Sequence, residues 1–349
     1  LVAMCEVPSI ALVPELTGDY DERTRLMRYR FLFGWAGGLL MLIFAYGIFF
    51  TGEKGVSDPD GYDSLSSWGA LMMTGAVLIS ALGQHRHVAK QSPPAPRGAG
   101  LGHALAEVKA TLSNKAFLWL VSAALFALIN QGLTFALSNY QLAFLWQLQQ
   151  MEMLYYALLL FGTVIVAFFI VPPLSARLGK KNGAILLALL SLSFNTALYA
   201  SWLLDLVPGG PSDPSVAFMF SFLIFSNSTA IGMMMLTSSM MADVVEASQQ
   251  ETGRRSEGLF FAGYFFMQKC AVGIGTFAAG MILSFAQFPQ NAKPGQVDVA
   301  VLDGLALYYM GVVAVLGITG VLILRHFPIS RESHNERLRA LNTSAESAS

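Results

Sequence analysis

The residue whose surroundings most demand a chemical explanation is Lys269. Between Gly258 and Ser284 it is the one charged side chain in an apolar run. Placing an ammonium group near the centre of a bilayer costs at least ~2.5–3.5 kcal/mol on the insertion scale, so an intramembrane lysine points to function by default. It falls about eleven residues into the predicted helix 258–284, roughly 16 Å deep at 1.5 Å per residue, too far to snorkel easily to either surface. Two readings are open: a group that handles a solute or ion, or a structural lysine paired with a carboxylate on a neighbouring helix. On the same helix Tyr264 and Gln268 are four apart from each other and are candidates for the lined face. Glu6 is the second charged candidate. It lies inside the apolar run 1–14 and is followed by Val7 and Pro8, where a helix irregularity suits an ion or polar-solute site; an interfacial structural role is the alternative. Asn130, Gln131 and Asn227 are uncharged polar groups at membrane depth, either glue between helices or ligands. For Gly273, Gly275 and Gly280 close helix packing is expected.

Catalytic patterns are absent from the sequence. There is no HExxH, GxSxG, Walker A or EF-hand loop, and His85, His87, His103, His326 and His334 all fall outside the apolar runs. Cys5 and Cys270 have no metal-binding spacing. No enzyme, no cofactor and no protein-bound metal are expected. A formal net charge of -1 offers no footprint for nucleic acid.

The elements that must position these residues follow from composition. The 349 residues are 54% hydrophobic and 12% charged, with a mean hydropathy of +0.55, where a soluble domain carries about a quarter charged residues. Runs long enough to span a bilayer as helices are predicted at 31–50, 67–83, 116–140, 152–172, 183–206, 215–242, 258–284 and 304–325, with a partial run at 1–14. Basic residues resist translocation and collect in cytoplasmic connections. Numbering the connections in order, all 21 Lys and Arg except Lys54, Lys269 and Lys293 lie in odd-numbered connections or the tail. A cytoplasmic C-terminus is therefore expected. The longest connection, 84–115, opens on a Pro-rich stretch and continues with Leu101, Leu105, Val108 and Leu112 at helical spacing, which reads as a linker followed by an amphipathic surface helix. Three runs precede it and six follow, which in a chain built from equal halves predicts that about three helices are missing at the start. The expected organisation is a remnant bundle over 1–83, a central cytoplasmic loop over 84–115, a six-helix bundle over 116–325 and a tail over 326–349.

Two stretches carry a family resemblance. Glu6-Val7-Pro8-Ser9-Ile10 through Glu15-Leu16-Thr17, with Asp21-Glu22-Arg23-Thr24, is similar to the end of the fourth helix and the following loop of the glycoside, pentoside and hexuronide cation symporters. Met241-Ala242-Asp243-Val244-Val245-Glu246, then Thr252 through Gly258 and on to Gln268-Lys269, resembles the tenth-to-eleventh helix region of that family. A weaker match is Ala176-Arg177-Leu178-Gly179-Lys180-Lys181, with Ala176 in place of a common acidic residue. The resemblance implies an all-α integral membrane protein of the major facilitator fold, lacking about its first three helices and keeping about nine transmembrane segments. It further implies alternating access and solute uptake coupled to H⁺ or Na⁺. It places Glu6 at a sugar-binding acidic position, Lys269 at a lysine near the cation and sugar sites, and Arg30 within one residue of a sugar-contacting arginine. Ile10 stands where a sugar-stacking tryptophan is found, and an aliphatic side chain offers no flat face to a pyranose.

These observations converge on a secondary active transporter of a sugar-like or related polar organic solute, acting as a monomer in the inner cell membrane. The expected substrate-binding set is Glu6, Arg30, Asn130, Gln131, Tyr264, Gln268 and Lys269. A symporter of lysolipid or another amphiphile is the alternative, with Phe260, Phe261, Phe265 and Phe266 lining a lateral cleft. A non-transporting membrane receptor or scaffold is the alternative from another class.

Overall fold

The computed structural model describes residues 33–34, 36–51, 59–88, 113–211, 213–252 and 257–328, which are helical almost throughout and contain no strand. The helices are α1 (Ala36–Phe49), α2 (Pro59–Val88), α3 (Lys115–Tyr140), α4 (Gln150–Leu203), α5 (Val216–Thr252), α6 (Glu257–Phe285) and α7 (Val299–Leu324). Six of them, all but α1, are long and apolar enough to cross a membrane. Glu6, Arg30, the run 1–14, the surface-helix stretch 101–112 and the tail beyond 328 lie outside the described residues.

Several boundaries differ from those read in the sequence. The start of α2 lies at Pro59, not near 67, so Asp60 and Asp63 belong to the helix. Proline fixes φ and lacks an N–H, which costs nothing at a first helical position. The start of α7 lies at Val299, where the Asp298 carboxylate accepts from the Ala300 N–H at 3.0 Å. Such a cap satisfies one of the orphan donors of a first turn, and it brings Asp303 inside the helix. Within α4, Gly179 adopts φ 76° and ψ 165°, a conformation open to glycine because it has no Cβ. The long helix is thereby two arms, one ending before and one starting after the Gly179 bend.

The described residues form two compact units, one within Leu1–Ala104 and Gln149–Phe161, the other within Leu105–Leu148 and Gly162–Ser349. In the first, α1 ends in a π-turn, with the Phe50 N–H donating to the Ala45 carbonyl at 2.8 Å, and Phe50 packs on Tyr62 of α2 with ring centroids 4.6 Å apart.

The second unit is organised around α3. Its first turn is capped by Asn114, whose side chain accepts from the Phe117 N–H at 2.9 Å. Phe117, Leu120 and Ala123 then recur at spacings of three and enter an apolar core with Ala184 and Leu187 of α4, Met240, Met241 and Val244 of α5, Phe260 of α6 and Leu324 of α7. The closest approach is between α3 and α6. A Cβ added at Gly132 would lie 2.7 Å from the Val272 carbonyl oxygen, and one at Gly275 would overlap the Ile129 carbonyl oxygen and the Leu133 nitrogen. Glycine at both positions lets the two backbones touch, the packing device that substitutes for a hydrophobic drive between helices in lipid.

Candidate functional site

One helix carries the site, and its three faces differ in character. At 100° per residue, Phe260, Ala271, Gly275, Ala279 and Ile282 lie on one side of α6 and are buried in the unit. Phe266, Ile274, Phe277, Met281 and Phe285 form a second side, large and exposed, suited to lipid. Between them runs a third strip in which Lys269, Gly273, Thr276 and Gly280 recur at spacings of four, three and four, all exposed. A Cβ added at Gly273 or Gly280 would meet nothing within 4 Å. The close-packing role expected of the three glycines therefore holds for Gly275 and fails for Gly273 and Gly280, because they point away from α3.

Lys269 is thus presented on a strip of small and polar residues rather than on the lipid-like side. An ammonium is a compact point charge with three donors, suited to an anionic group of a solute or to electrostatic competition with a bound cation. Gln268 and Tyr264 are half-buried and lie roughly 100° and 140° around α6 from Lys269, toward the packed side rather than on its strip; the Tyr264 ring packs against both apolar clusters of the unit, the one around Phe117 and the one formed by Ala124, Leu128, Ile129 and Ala271.

Asn130 is not brought to Lys269. It lies roughly 160° around α3 from Gly132, which faces α6, at 100° per residue. It shares its side with Thr134, whose hydroxyl is 3.0 Å from the Tyr309 hydroxyl of α7. Gln131 is exposed. Asn227 donates from Nδ2 to the Leu223 carbonyl of its own helix at 3.0 Å. Phe260, expected in a lateral cleft, is 1% exposed and meets Phe117 edge-on at 4.9 Å; a ring in the core cannot line a cleft. Phe265 is half-buried and Phe266 exposed.

Two charged contacts lie at the Gly179 bend. Lys180 Nζ donates to both carboxylate oxygens of Asp243 at 2.6 and 2.7 Å, and Lys181 Nζ donates to the Phe327 carbonyl at 2.8 Å. Together they tie the α4 bend to α5 and to the end of α7. Near the opposite end of α7, the Trp202 indole N–H donates to Asp303 Oδ1 at 2.9 Å. The spacing argument missed Asp303 because the apolar window places the helix start one residue after it; Asp298, a capping residue followed by an apolar run, was the signal available.

Comparison with known proteins agrees with this architecture. A family model described as MFS/sugar transport protein matches residues 1–331. An uncharacterized symporter of Synechocystis sp. is 26% identical over 407 aligned positions, covering 95% of this chain and 72% of the relative. Two proteins named as 2,3-dihydroxypropane-1-sulfonate exporters are similar over shorter stretches. That of Salmonella typhimurium is 29% identical over 45% of this chain and 32% of its own length. That of Escherichia coli is 28% identical over 46% of this chain and 32% of its own length. The family match spans both units and every described helix, so the chain belongs to the MFS/sugar transport protein family.

Proposed function

We propose that this protein is a cation-coupled symporter of a small polar organic solute, working by alternating access with its C-terminus in the cytoplasm. The observation that carries the proposal is Lys269 on a polar strip of a membrane-length helix, distinct from both the packed and the lipid-like faces. Binding near the middle of the bilayer at discontinuities between helical bundles is how such carriers hold solute and coupling ion. The family match and the relative named a symporter support this reading. The compound for which the two exporters are named, a polyol sulfonate, supports a hydroxylated solute, and its anionic group complements an ammonium. Glu6 and Arg30, outside the described residues, are proposed to bind solute as well, with H⁺ or Na⁺ as the coupling ion and nine membrane-crossing segments in the chain. The amphiphile reading loses support with Phe260 in the core.

The test is uptake of radiolabelled sugars, sulfonates and lysolipids into proteoliposomes under an imposed Na⁺ or H⁺ gradient. Lys269→Ala is expected to abolish uphill accumulation, while the protein inserts and melts as the parent does. Undiminished uphill uptake by Lys269→Ala overturns the assignment of Lys269. Gradient-driven uptake of lysolipid alone selects the amphiphile carrier, and no transport of any solute selects the receptor or scaffold.

A further inference from the structure

The interior of the second unit is apolar around Phe117 and Phe260 and turns polar toward the Trp202 end of the second arm of α4. Tyr309 of α7 is 1% exposed. Its hydroxyl lies 3.0 Å from that of Thr134, and Asn195 and Tyr199 reach it as well, the Tyr199 ring lying 4.7 Å from that of Tyr309. Three groups nearby are left over. Asn130 Oδ1, Asn195 Oδ1 and Gln141 Nε2 are buried and have no hydrogen-bond partner among the described residues.

Their positions in the helices place these groups on one seam. Asn130, Thr134 and Gln141 fall on one side of α3 and of the π-turn that continues it, at spacings of four and seven, and Asn195, Tyr199 and Trp202 fall on one side of α4 at spacings of four and three. The next rung is the Trp202 bond to Asp303. Turning over the Asn195 amide would only exchange an orphan acceptor for an orphan donor. A buried amide left without a partner carries its full desolvation cost. Asn130 and Gln141 are roughly 16 Å apart along the helix at 1.5 Å per residue, so a file of waters, each with two protons and two lone pairs, is what serves the carbonyl oxygens and the N–H. A cation suits the oxygens but leaves the amide protons of Gln141, which is 4% exposed, without an acceptor.

We propose that the seam between α3, the second arm of α4 and α7 holds a file of internal waters that serve Asn130, Asn195 and Gln141. Water-mediated contacts are nearly as good as direct ones and exchange partners readily. The polar end of α3 is therefore held by replaceable contacts, whereas the Gly132–Gly275 crossing is fixed by backbone touching backbone. This assignment does not depend on the transported solute.

Radiolytic hydroxyl labelling of the full-length protein in lipid nanodiscs, read by mass spectrometry, tests it. Tyr309 and Tyr199 are expected to gain oxygen from bound water although they are 1% and 3% exposed, while Phe260 in the apolar core stays unmodified. The double substitution Asn130→Leu with Asn195→Leu removes the polar lining and is expected to lower labelling of both tyrosines about fivefold or more. Tyrosines as silent as Phe260 in the parent protein overturn the proposal, and that readout stands even where the double variant fails to fold. Labelling unchanged in a folded double variant overturns it too, as does labelling that disappears when NaCl replaces choline chloride, which assigns the seam to a cation.

Discussion

Lys180 and Asp243 are half-exposed, at 38% and 20% of their side-chain surface, so water screens much of their attraction. Ion pairs of this kind contribute about 0.2–1 kcal/mol; here the ammonium reaches both oxygens, which places the pair near the upper end. A double-mutant cycle on Lys180→Ala and Asp243→Ala, measured by denaturation in detergent, is expected to give a coupling of about 1 kcal/mol. A coupling indistinguishable from zero would mean that the two side chains act independently. Charge was what made individual residues legible in the sequence. Lys269 stood out because an ammonium in an apolar run has no inexpensive explanation. Asp303 escaped because a carboxylate at the edge of an apolar run looks like the boundary itself, and its Trp202 partner lies 101 positions away. The Lys180–Asp243 bond spans 63 positions and joins two motifs that the sequence presented separately.

At the scale of helices, glycines that look alike in the sequence do different work in space. Gly275 touches the α3 backbone, whereas Gly273 and Gly280 open onto the strip that holds Lys269. Gly275→Ala forces α3 and α6 apart, and overpacking of this kind costs roughly 1–3 kcal/mol; its melting temperature is expected to fall by several degrees with loss of folded yield. Gly273→Ala adds a methyl to open space and is expected to leave the melting temperature unchanged while raising KM for the transported solute. Equal destabilisation by the two substitutions would show that the strip is packed rather than open. Periodicity and hydropathy recovered the apolar core of each helix because both act within the helix. The contrast among the three glycines depends on a neighbour more than 100 positions away in the chain, beyond the reach of any pattern within α6. The Gly179 bend was legible as a basic break between apolar arms, but its left-handed backbone was not.

The whole chain is ordered by where its charges sit. Lys180, Lys181 and Arg325 lie at the end of the second unit that includes the Gly179 bend, and the connection from α6 to α7 holds one basic residue, Lys293. Because basic residues resist translocation, the bend end is expected in the cytoplasm and the α6–α7 connection outside. Cysteine labelling in intact cells checks this in a background with Cys5 and Cys270 replaced by serine. A membrane-impermeant maleimide is expected to modify Gln290→Cys from outside and Ser330→Cys only after permeabilisation. The reverse pattern would invert the molecule, and with it the assignment of Lys180–Asp243 to the cytoplasmic face. In the expected orientation the two ends of the second unit are held differently. The cytoplasmic end is tied by ammonium contacts across α4, α5 and α7 over an apolar core. The outer half is joined through the Tyr309 hydroxyl and the water-bridged seam, whose contacts exchange at lower cost. Movement of α3 against α4 and α7 is therefore expected to begin in the outer half.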